Sequence, residues 1–442
     1  MLRITVLGTG YVGLVSGVCF ADMEHHVTCV DKDIEKITAL KTGVVPIYEE
    51  GLEGLMKKSV EQERLKFSTI LSESLNKSDV VMIAVGTPTS DTNSGSVNLN
   101  YINECVVEIA ECLSRNILVL VKSTVPVGTC DKIQEQLNRL AKFECTVVSN
   151  PEFLREGTAV YDFIKPDRIV IGSDGRGKEI IDQLYSKFIE KGTKIIFSDR
   201  KTAELIKYAS NTLLAMKIGF INEMADISEK IGADIEKLSE GIGSDKRIGN
   251  RFLTPGPGFG GSCFPKDVLA LLNLIDEVKT DGQLIKAVIR SNVNRIEKIS
   301  KEILESIQTK ETVAVLGLTY KAGTDDIRDS PSIKVIKRLI EAGVRKIRAY
   351  DPAGMKNAEK VLDSTVEYCT DMYEACRGAS LVLIATEWEI FKTIDALKLK
   401  GVMKNLNIYD LRGIIDKESF LKNNFNVRSI GYKQYVSQIC PS

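Results

Sequence analysis

The sequence predicts an α/β protein: two doubly wound domains joined by a central all-helical region with a long connecting helix. Three observations lead there. The chain opens strand, glycine turn, helix, strand ("RITVLG", "GYVGLVSGVCFADM", "VTCVD"), the order of a parallel sheet with crossover helices. A long run, "KTAELIKYASNTLLAMKIGFINEMADISEKIG", keeps apolar residues at helical spacing and ends at glycine. At Thr312 the opening pattern restarts: "TVAVLGLTYK" follows "RITVLGTGYV", and "VRKIRAYDP" places Asp351 as "HHVTCVDKD" places Asp31.

The first domain is expected over 1–198. Its later segments "DVVMIAVGTP", "ILVLVKSTVP" and "CTVVSNPEF" are continuous apolar runs closed by turn residues, as strands of a buried parallel sheet are. The central region, 199–309, holds the long helix. The Gly/Pro-rich "NRFLTPGPGFGGSCFPKD" then interrupts the helical pattern before further helices follow. In the third domain, 310–442, "ASLVLIATEW" echoes "SDVVMIAVGT". Only part of the glycine set recurs there, so a second dinucleotide is not expected to bind in the same way.

A chain of 442 residues calls for two or three cores. Its apolar share of 43%, charged share of 27% and net charge of -1 are those of a soluble globular protein. They give no ground for a nucleic-acid or membrane partner. No apolar run approaches the ~18 residues that would span a bilayer. The opening "ITVLGTGYVGLVSG" is punctuated by glycines and no cleavage pattern follows, so it reads as structure rather than as a signal. The 10 cysteines form no CxxC pair, which points to reduced thiols and a cytoplasmic protein. His25 and His26 are the sole histidines. A zinc site of His/Cys type is therefore not expected, and acid–base work elsewhere falls to carboxylates, lysines and thiols.

"GTGYVG", residues 8–13, follows a strand and opens a helix. Gly8 suits the tight turn, Gly10 the close approach of a pyrophosphate and Gly13 helix–strand packing, with the helix N-terminus facing negative charge. Asp31 ends the next strand, where a carboxylate holds ribose hydroxyls and repels a 2′-phosphate. The pattern is that of a Rossmann-like domain binding NAD rather than NADP, although Lys32 next door works against the second inference. The plainer alternative is a set of glycines that serve packing alone.

Four fragments place polar residues where such sheets open their carboxyl edge: "KSTVPVG" (Thr124), "SNPEFLREG" (Glu152, Glu156), "AELIKYASN" (Lys207, Asn211) and "GGSCFPKD". Lys207 and Asn211, four apart, share a helix face and can direct an ammonium and a carboxamide at one oxyanion, or form a solvated face. Glu152 and Glu156 have the same spacing. As neighbours they repel and prepare a base, and as an exposed helix start they need do nothing. Most cysteines sit in apolar runs, whereas Cys263 follows two glycines and a serine at the start of a helix, a setting that favours the thiolate. The residues alone leave Cys263 open between nucleophile and packing thiol.

Taken together, "GTGYVG", "GTPT", "STVPVGT", "NPEFLREGTAVYDF", "AELIKYASN", "DKRIGNRFLTPGPGFGGSCFPKD" and "GLTYKAGTDDIRDSP" resemble the UDP-glucose/GDP-mannose dehydrogenase family over nearly the whole chain. The form "FLTPGPGFGGSCFPKD" is similar to its UDP-glucose branch. The resemblance implies a homodimer that oxidises the primary alcohol of UDP-glucose to the carboxylate, using two NAD per sugar. It implies that Cys263 forms a thiohemiacetal and then a thioester, with Lys207 and Asn211 on the oxyanion. Asp267 through water, or Lys207, would assist the first proton transfer. Glu152 would activate the hydrolytic water, with Thr124 and Asp267 positioning it. Cofactor contacts are implied at Gly8, Gly10, Tyr11, Val12, Gly13, Asp31, Lys36, Thr87, Pro88, Thr124, Glu156, Lys266 and Arg328. Substrate contacts are implied at Glu152, Phe153, Leu154, Lys207, Asn211, Phe252, Leu253 and Gly260. Lys321 would reach the substrate from the third domain, and Arg247 that of a neighbouring subunit. The rival readings are the same chemistry on GDP-mannose or a UDP-N-acetylhexosamine, a two-electron dehydrogenase, and a non-catalytic NAD-binding protein. The two-electron enzyme needs no thiol. The non-catalytic protein would be expected to lack one of Lys207, Asn211, Cys263 or Asp267, all of which stand here.

Overall fold

A computed structural model describes residues 1–89 and 95–432. The chain separates into two units, Met1–Ser210 with Asn273–Val278, and Asn211–Leu272 with the described residues from Lys279 onward. In the first unit, strands β1 (Arg3–Leu7), β2 (His26–Val30), β3 (Leu65–Ser68), β4 (Val80–Ile83), β5 (Ile117–Val121), β6 (Cys145–Ser149), β7 (Ile169–Gly172) and β8 (Ile195–Ser198) form one sheet. Its order is β3-β2-β1-β4-β5-β6-β7-β8. Residues such as Val6, Val80, Val81, Met82 and Ile83 are fully buried, because helices cover both faces of a parallel sheet.

The sheet is parallel from β3 through β6. Beyond that point the strand direction changes. β7 meets β6 antiparallel, through the single pair Ser149 and Gly172, and β8 then runs parallel to β7. Strand direction is not written in hydrophobicity: "IVIG" is as apolar and as buried as its neighbours. The order reverses between β1 and β4, and a ligand of such a sheet binds beyond the carboxyl ends at that switch.

The connecting helix is unbroken from Arg200 to Ile231. Ala203, Tyr208, Ala215, Ile221 and Ala225 are buried along it, each large apolar side chain contributing roughly 1.5–3 kcal/mol. Gly232, with a φ of 80°, ends it, as a left-handed residue does after a last helical turn. Helices Ile235–Gly243, Phe264–Glu277 and Gln283–Ser306 follow.

The second sheet is made of β9 (Thr312–Leu316), β10 (Lys346–Tyr350), β11 (Val366–Tyr368), β12 (Leu381–Ile384), β13 (Asn407–Asp410) and β14 (Asn426–Ser429). Its order is β11-β10-β9-β12-β13-β14, and every pairing is parallel. β9 holds the place of β1, which is the restart read from the sequence. The fold is therefore α/β with two Rossmann-like sheets and a helical middle.

The two sheets differ where it matters for a ligand. Asp351 is fully buried. Its Oδ2 accepts from the amides of Leu318 (2.7 Å) and Thr319 (3.1 Å), the Thr319 hydroxyl (3.1 Å) and the Trp388 indole (3.2 Å). Its Oδ1 accepts from the amides of Ala353 (2.9 Å) and Gly354 (2.7 Å). Both oxygens are thus taken up by the domain's own loops. Among the described residues, no helix is long and apolar enough to cross a membrane.

Candidate active site

The glycine turn has the geometry the spacing predicts. Gly8 has a φ of 95°, and a Cβ there would lie 2.9 Å from the carbonyl oxygen of Ala84. A Cβ on Gly13 would fall 2.0 Å from the Gly8 oxygen, so helix and strand close on each other only without one. Around Gly10 nothing lies within 4 Å of that position. The helix Tyr11–Asp22 carries no side-chain cap at its start. Its first amides, Tyr11 and Val12 among them, are left for an anion.

Asp31 at the end of β2 accepts from the amide and hydroxyl of Thr9, both at 2.7 Å, and from the Asp33 amide at 3.1 Å. Partial burial opposes its charge, but these donors outweigh it and hold the carboxyl below its usual range. Lys32 is engaged with Glu104 at 3.2 Å and Glu108 at 3.5 Å, and Lys36 lies 3.7 Å from Asp33. Beyond β4, the Thr87 hydroxyl donates to the Thr124 carbonyl at 2.9 Å, and the Pro88 carbonyl accepts from the Asn98 amide at 2.8 Å. These residues fit the dinucleotide expected from the sequence: an open turn, an uncapped helix start and a carboxylate at the ribose position.

Beyond β6 lies a second polar group of the first unit. The Lys207 ammonium donates to the Glu152 carbonyl at 2.6 Å and to its Oε1 at 2.9 Å. Both side chains are buried, with 4% and 6% of their surface exposed. Glu152 also accepts from the Leu154 amide at 2.5 Å. The ring of Phe153 lies 5.4 Å from the Lys207 ammonium and 3.5 Å from the Arg168 guanidinium. The stretch from Pro151 to Arg155 has no regular structure. The i, i+4 spacing of Glu152 and Glu156 therefore puts them on no helix face, and Glu152 is paired with a lysine.

A third group lies in the second unit. Cys263 immediately precedes the helix Phe264–Glu277, and its carbonyl accepts from the Asp267 amide at 2.9 Å. Its Sγ lies 3.4 Å from the Ser262 hydroxyl. Asp267 is 1% exposed. It receives the Asn211 carboxamide at 2.6 Å and the Lys266 ammonium at 2.7 Å, one on each oxygen. So Lys207 and Asn211, one turn apart on the connecting helix, serve different carboxylates.

The glycine loop before Cys263 is held from several sides. The Asn292 carboxamide accepts from the Phe259 amide (2.8 Å) and donates to its carbonyl (3.0 Å), and Arg295 donates to the Gly256 carbonyl (3.1 Å). A Cβ on Gly260 would lie 2.4 Å from the Asp329 oxygen, so only glycine lets the two backbones touch. Leu253 is buried, and Phe252, at a φ of 64°, sets its ring 6.0 Å from that of Phe264 at a tilt of 48°. Seven of the nine described cysteines are buried and Cys112 and Cys263 half-buried; Cys440 lies outside the described residues. Burial pushes the thiols of Cys19, Cys29 and Cys105 up to about 12, which suits packing rather than attack.

Three further cations belong to the second unit, and the carbonyl of one, Arg328, accepts from the Gly261 amide of the glycine loop at 2.9 Å. Arg247 is an exposed guanidinium paired with Asp245 at 2.5 Å. Arg328 clasps Asp326, with its closest pair at 2.7 Å. The Lys321 ammonium lies 5.6 Å from the centre of the Tyr320 ring.

Residues 2–189 match the NAD binding domain of the UDP-glucose/GDP-mannose dehydrogenase family, 201–294 its central domain and 314–417 its UDP binding domain. The chain belongs to that family. A UDP-glucose 6-dehydrogenase of Rhizobium meliloti is 46% identical over 97% of this chain and 99% of its own length. The Bacillus subtilis UDP-glucose 6-dehydrogenase YwqF is 43% identical over 98% and 99%. Among solved structures, a UDP-glucose dehydrogenase of Pyrobaculum islandicum superimposes with a TM-score of 0.88 at 33% identity, covering 98% of both chains. A UDP-D-ManNAc dehydrogenase of Pyrococcus horikoshii gives 0.86 at 28% identity over 97% of this chain and 99% of its own. This member of the family is an NAD-dependent dehydrogenase.

In this dehydrogenase the Asp31 carboxylate should decide cofactor choice. Losing a charged hydrogen-bond acceptor costs about 1.5–3 kcal/mol, so Asp31→Ala should weaken NADH by roughly 10- to 100-fold. It should also narrow the preference over NADPH. Fluorescence titrations with both nucleotides measure this, and an unchanged ratio would contradict it.

Sequence reasoning missed several residues that hold the dehydrogenase's site. Glu204 accepts from the Gly128 (2.5 Å) and Cys130 (2.8 Å) amides, fixing the turn after Thr124. Beneath Glu152, Asn150 accepts from the Lys122 ammonium (3.1 Å) and the Tyr185 hydroxyl (2.5 Å) and donates to the Val170 carbonyl (2.9 Å). "KSTVP" reads as a strand end, and nothing local marks its lysine as buried. Burial pushes Lys122 down to about 8 from the ordinary 10.5, with Glu152 pulling it back and Lys207 pushing it further.

The sign of the consequence follows. Between pH 8 and 10.5 the unfolded chain holds a proton that the folded one has lost, so this group's cost is greatest below pH 8 and fades as pH rises. Its size is roughly 3 kcal/mol. Lys122→Met should therefore gain stability relative to wild type at pH 7 and lose that advantage by pH 10. Denaturant melts at both pH values test this, and a difference independent of pH would refute it.

Proposed function

We propose that this protein is a UDP-glucose 6-dehydrogenase converting UDP-glucose to UDP-glucuronate with two NAD and one water per sugar. The observation that carries the reading is the setting of Cys263. It sits half-exposed at a helix start, one turn from a buried aspartate that is held by an asparagine and a lysine. Its position on the "FLTPGPGFGGSCFPKD" loop and the 46% identity to a protein of that name support the substrate.

The chemistry divides among the chain's own groups. The glycine turn and Asp31 would hold NAD, which would supply the hydride acceptor for each oxidation. The first oxidation removes a hydride from C6 and the hydroxyl proton, which passes to Asp267 through water or to Lys207. The Cys263 thiolate then adds to the aldehyde carbon and the oxygen takes the charge, which Lys207 and Asn211 stabilise. That oxyanion collapses as the second hydride leaves, giving a thioester. Water, deprotonated by Glu152 and positioned by Thr124 and Asp267, attacks the thioester carbon, and the thiolate departs. The balance is one alcohol, two NAD and one water to one carboxylate, two NADH and three protons.

This scheme needs the Glu152–Lys207 pair and the Asn211–Asp267–Cys263 group to act on one carbon. The remaining assignments belong to the same reading. Thr87, Pro88, Glu156, Lys266 and Arg328 would serve the cofactor. Phe153, Leu154, Phe252, Leu253, Gly260 and Lys321 would serve the sugar nucleotide. Arg247, with its side chain 88% exposed, would reach the substrate of the second copy in a cytoplasmic homodimer. Three functional domains, 1–198, 199–309 and 310–442, are proposed accordingly.

Incubation with NAD and a panel of UDP- and GDP-sugars, counting NADH per sugar, tests the proposal. Two NADH from UDP-glucose and little reaction with the others is the expected result. A preference for GDP-mannose or a UDP-N-acetylhexosamine would reassign the substrate, and one NADH per sugar would reject the four-electron scheme.

A further inference from the structure

One carboxylate outside the groups above collects donors from two functional stretches. The Tyr11 hydroxyl, in the glycine turn, donates to Glu49 Oε2. The Gly157 amide donates to the same oxygen at 2.7 Å and to the Tyr11 hydroxyl oxygen at 2.5 Å. The Val160 amide donates to Glu49 Oε1 at 3.2 Å. Glu49 lies in an irregular stretch between the helices Ile34–Lys41 and Leu52–Glu61, and 108 residues separate it from Gly157.

We propose that Glu49 is a positioning residue that latches the dinucleotide turn to the loop 150–158, so that cofactor and sugar nucleotide bind cooperatively. This inference rests on the reading of NAD and UDP-glucose as ligands.

The loop is pinned at its start, where the Asn150 amide donates to the Val121 carbonyl at 2.8 Å and its side chain to Val170 at 2.9 Å. Between Asn150 and Gly157 no sheet ladder holds it, and that span carries Glu152, Phe153, Leu154 and Glu156. Its far end is fixed by Glu49 and Tyr11. Tyr11 is the first residue of the helix whose uncapped amides would face the pyrophosphate. An anion that fixes those amides thereby fixes the tyrosine, the Glu49 carboxylate and the Gly157 amide. Coupling of this kind is reciprocal: whatever NAD does for the sugar nucleotide, the sugar nucleotide does for NAD. A carboxylate is required, because both oxygens accept. A glutamine would turn its NH2 towards either Val160 or the Tyr11–Gly157 pair, where a donor is already present.

Calorimetric titration of the full-length protein with UDP-glucose, with and without saturating NADH, measures the coupling without turnover. Wild type should bind UDP-glucose at least about fivefold more tightly with NADH. In Glu49→Gln and in Tyr11→Phe the ratio should fall to within about twofold, and the double variant should fall no further, as expected of partners in one network. Should Glu49→Gln unfold, Tyr11→Phe decides alone. A wild-type ratio near one, or variants that keep the full ratio, overturns the latch. A wild type that neither binds nor oxidises UDP-glucose overturns the substrate reading, and the latch with it.

Discussion

Cys263→Ala should abolish formation of UDP-glucuronate, with turnover falling at least about 10⁴-fold, while NADH and UDP-glucose still bind. In the proposed scheme the thiol is the one group with no substitute. The described cysteines other than Cys263 and Cys112 are buried, and neither histidine lies near the loop in sequence. Removing a nucleophile leaves only positioning and electrostatic stabilisation. Cys263→Ser should stop early in a different way. A hydroxyl at that position can add to the aldehyde, but the ester that follows hydrolyses more slowly than a thioester. The expected signature is fewer than two NADH per sugar, with a covalent sugar-nucleotide adduct on the protein detectable by mass spectrometry. If Cys263→Ser instead gave full conversion with two NADH per sugar, the thioester route would be wrong.

Why the residues alone left Cys263 more open than the dinucleotide turn is a matter of how far apart the partners lie. Gly8, Gly10, Gly13 and Asp31 belong to one strand–helix–strand unit, so their spacing alone fixes their geometry. The Asn211–Asp267 bond spans 56 residues and the Lys207–Glu152 bond 55. Helical spacing could place Lys207 and Asn211 on one face but could not say that each would find its own carboxylate. For Glu152 and Glu156 the local rule itself lost. The Glu152 side chain accepts the Leu154 amide, a side-chain bond that competes with helix formation. Lys122 and Glu49 were invisible for the same reason as the reversal of β7: burial, pairing and direction are decided by tertiary neighbours that no window of sequence contains.

Lys207→Met should lower turnover by about 10³-fold, the order expected when one preorganised donor to a developing oxyanion is lost. It should also do something that Cys263→Ala does not. The Lys207–Glu152 pair is almost entirely buried, and a carboxylate buried without its cation is among the costlier defects in a protein. The loss should be roughly 3–5 kcal/mol, because Glu152 would keep the Leu154 amide but lose the cation bonded to it. The double variant Lys207→Met with Glu152→Gln removes the uncompensated charge. It should recover most of that stability without recovering activity, since the proposed oxyanion donor and water base are then both absent. Denaturant melts and NADH counts on the two singles and the double separate the two effects. A Lys207→Met variant of wild-type stability would show that the ion pair adds nothing net to the fold. A double variant that regained turnover would remove both residues from the chemistry and leave Asn211, Asp267 and Cys263 to carry it.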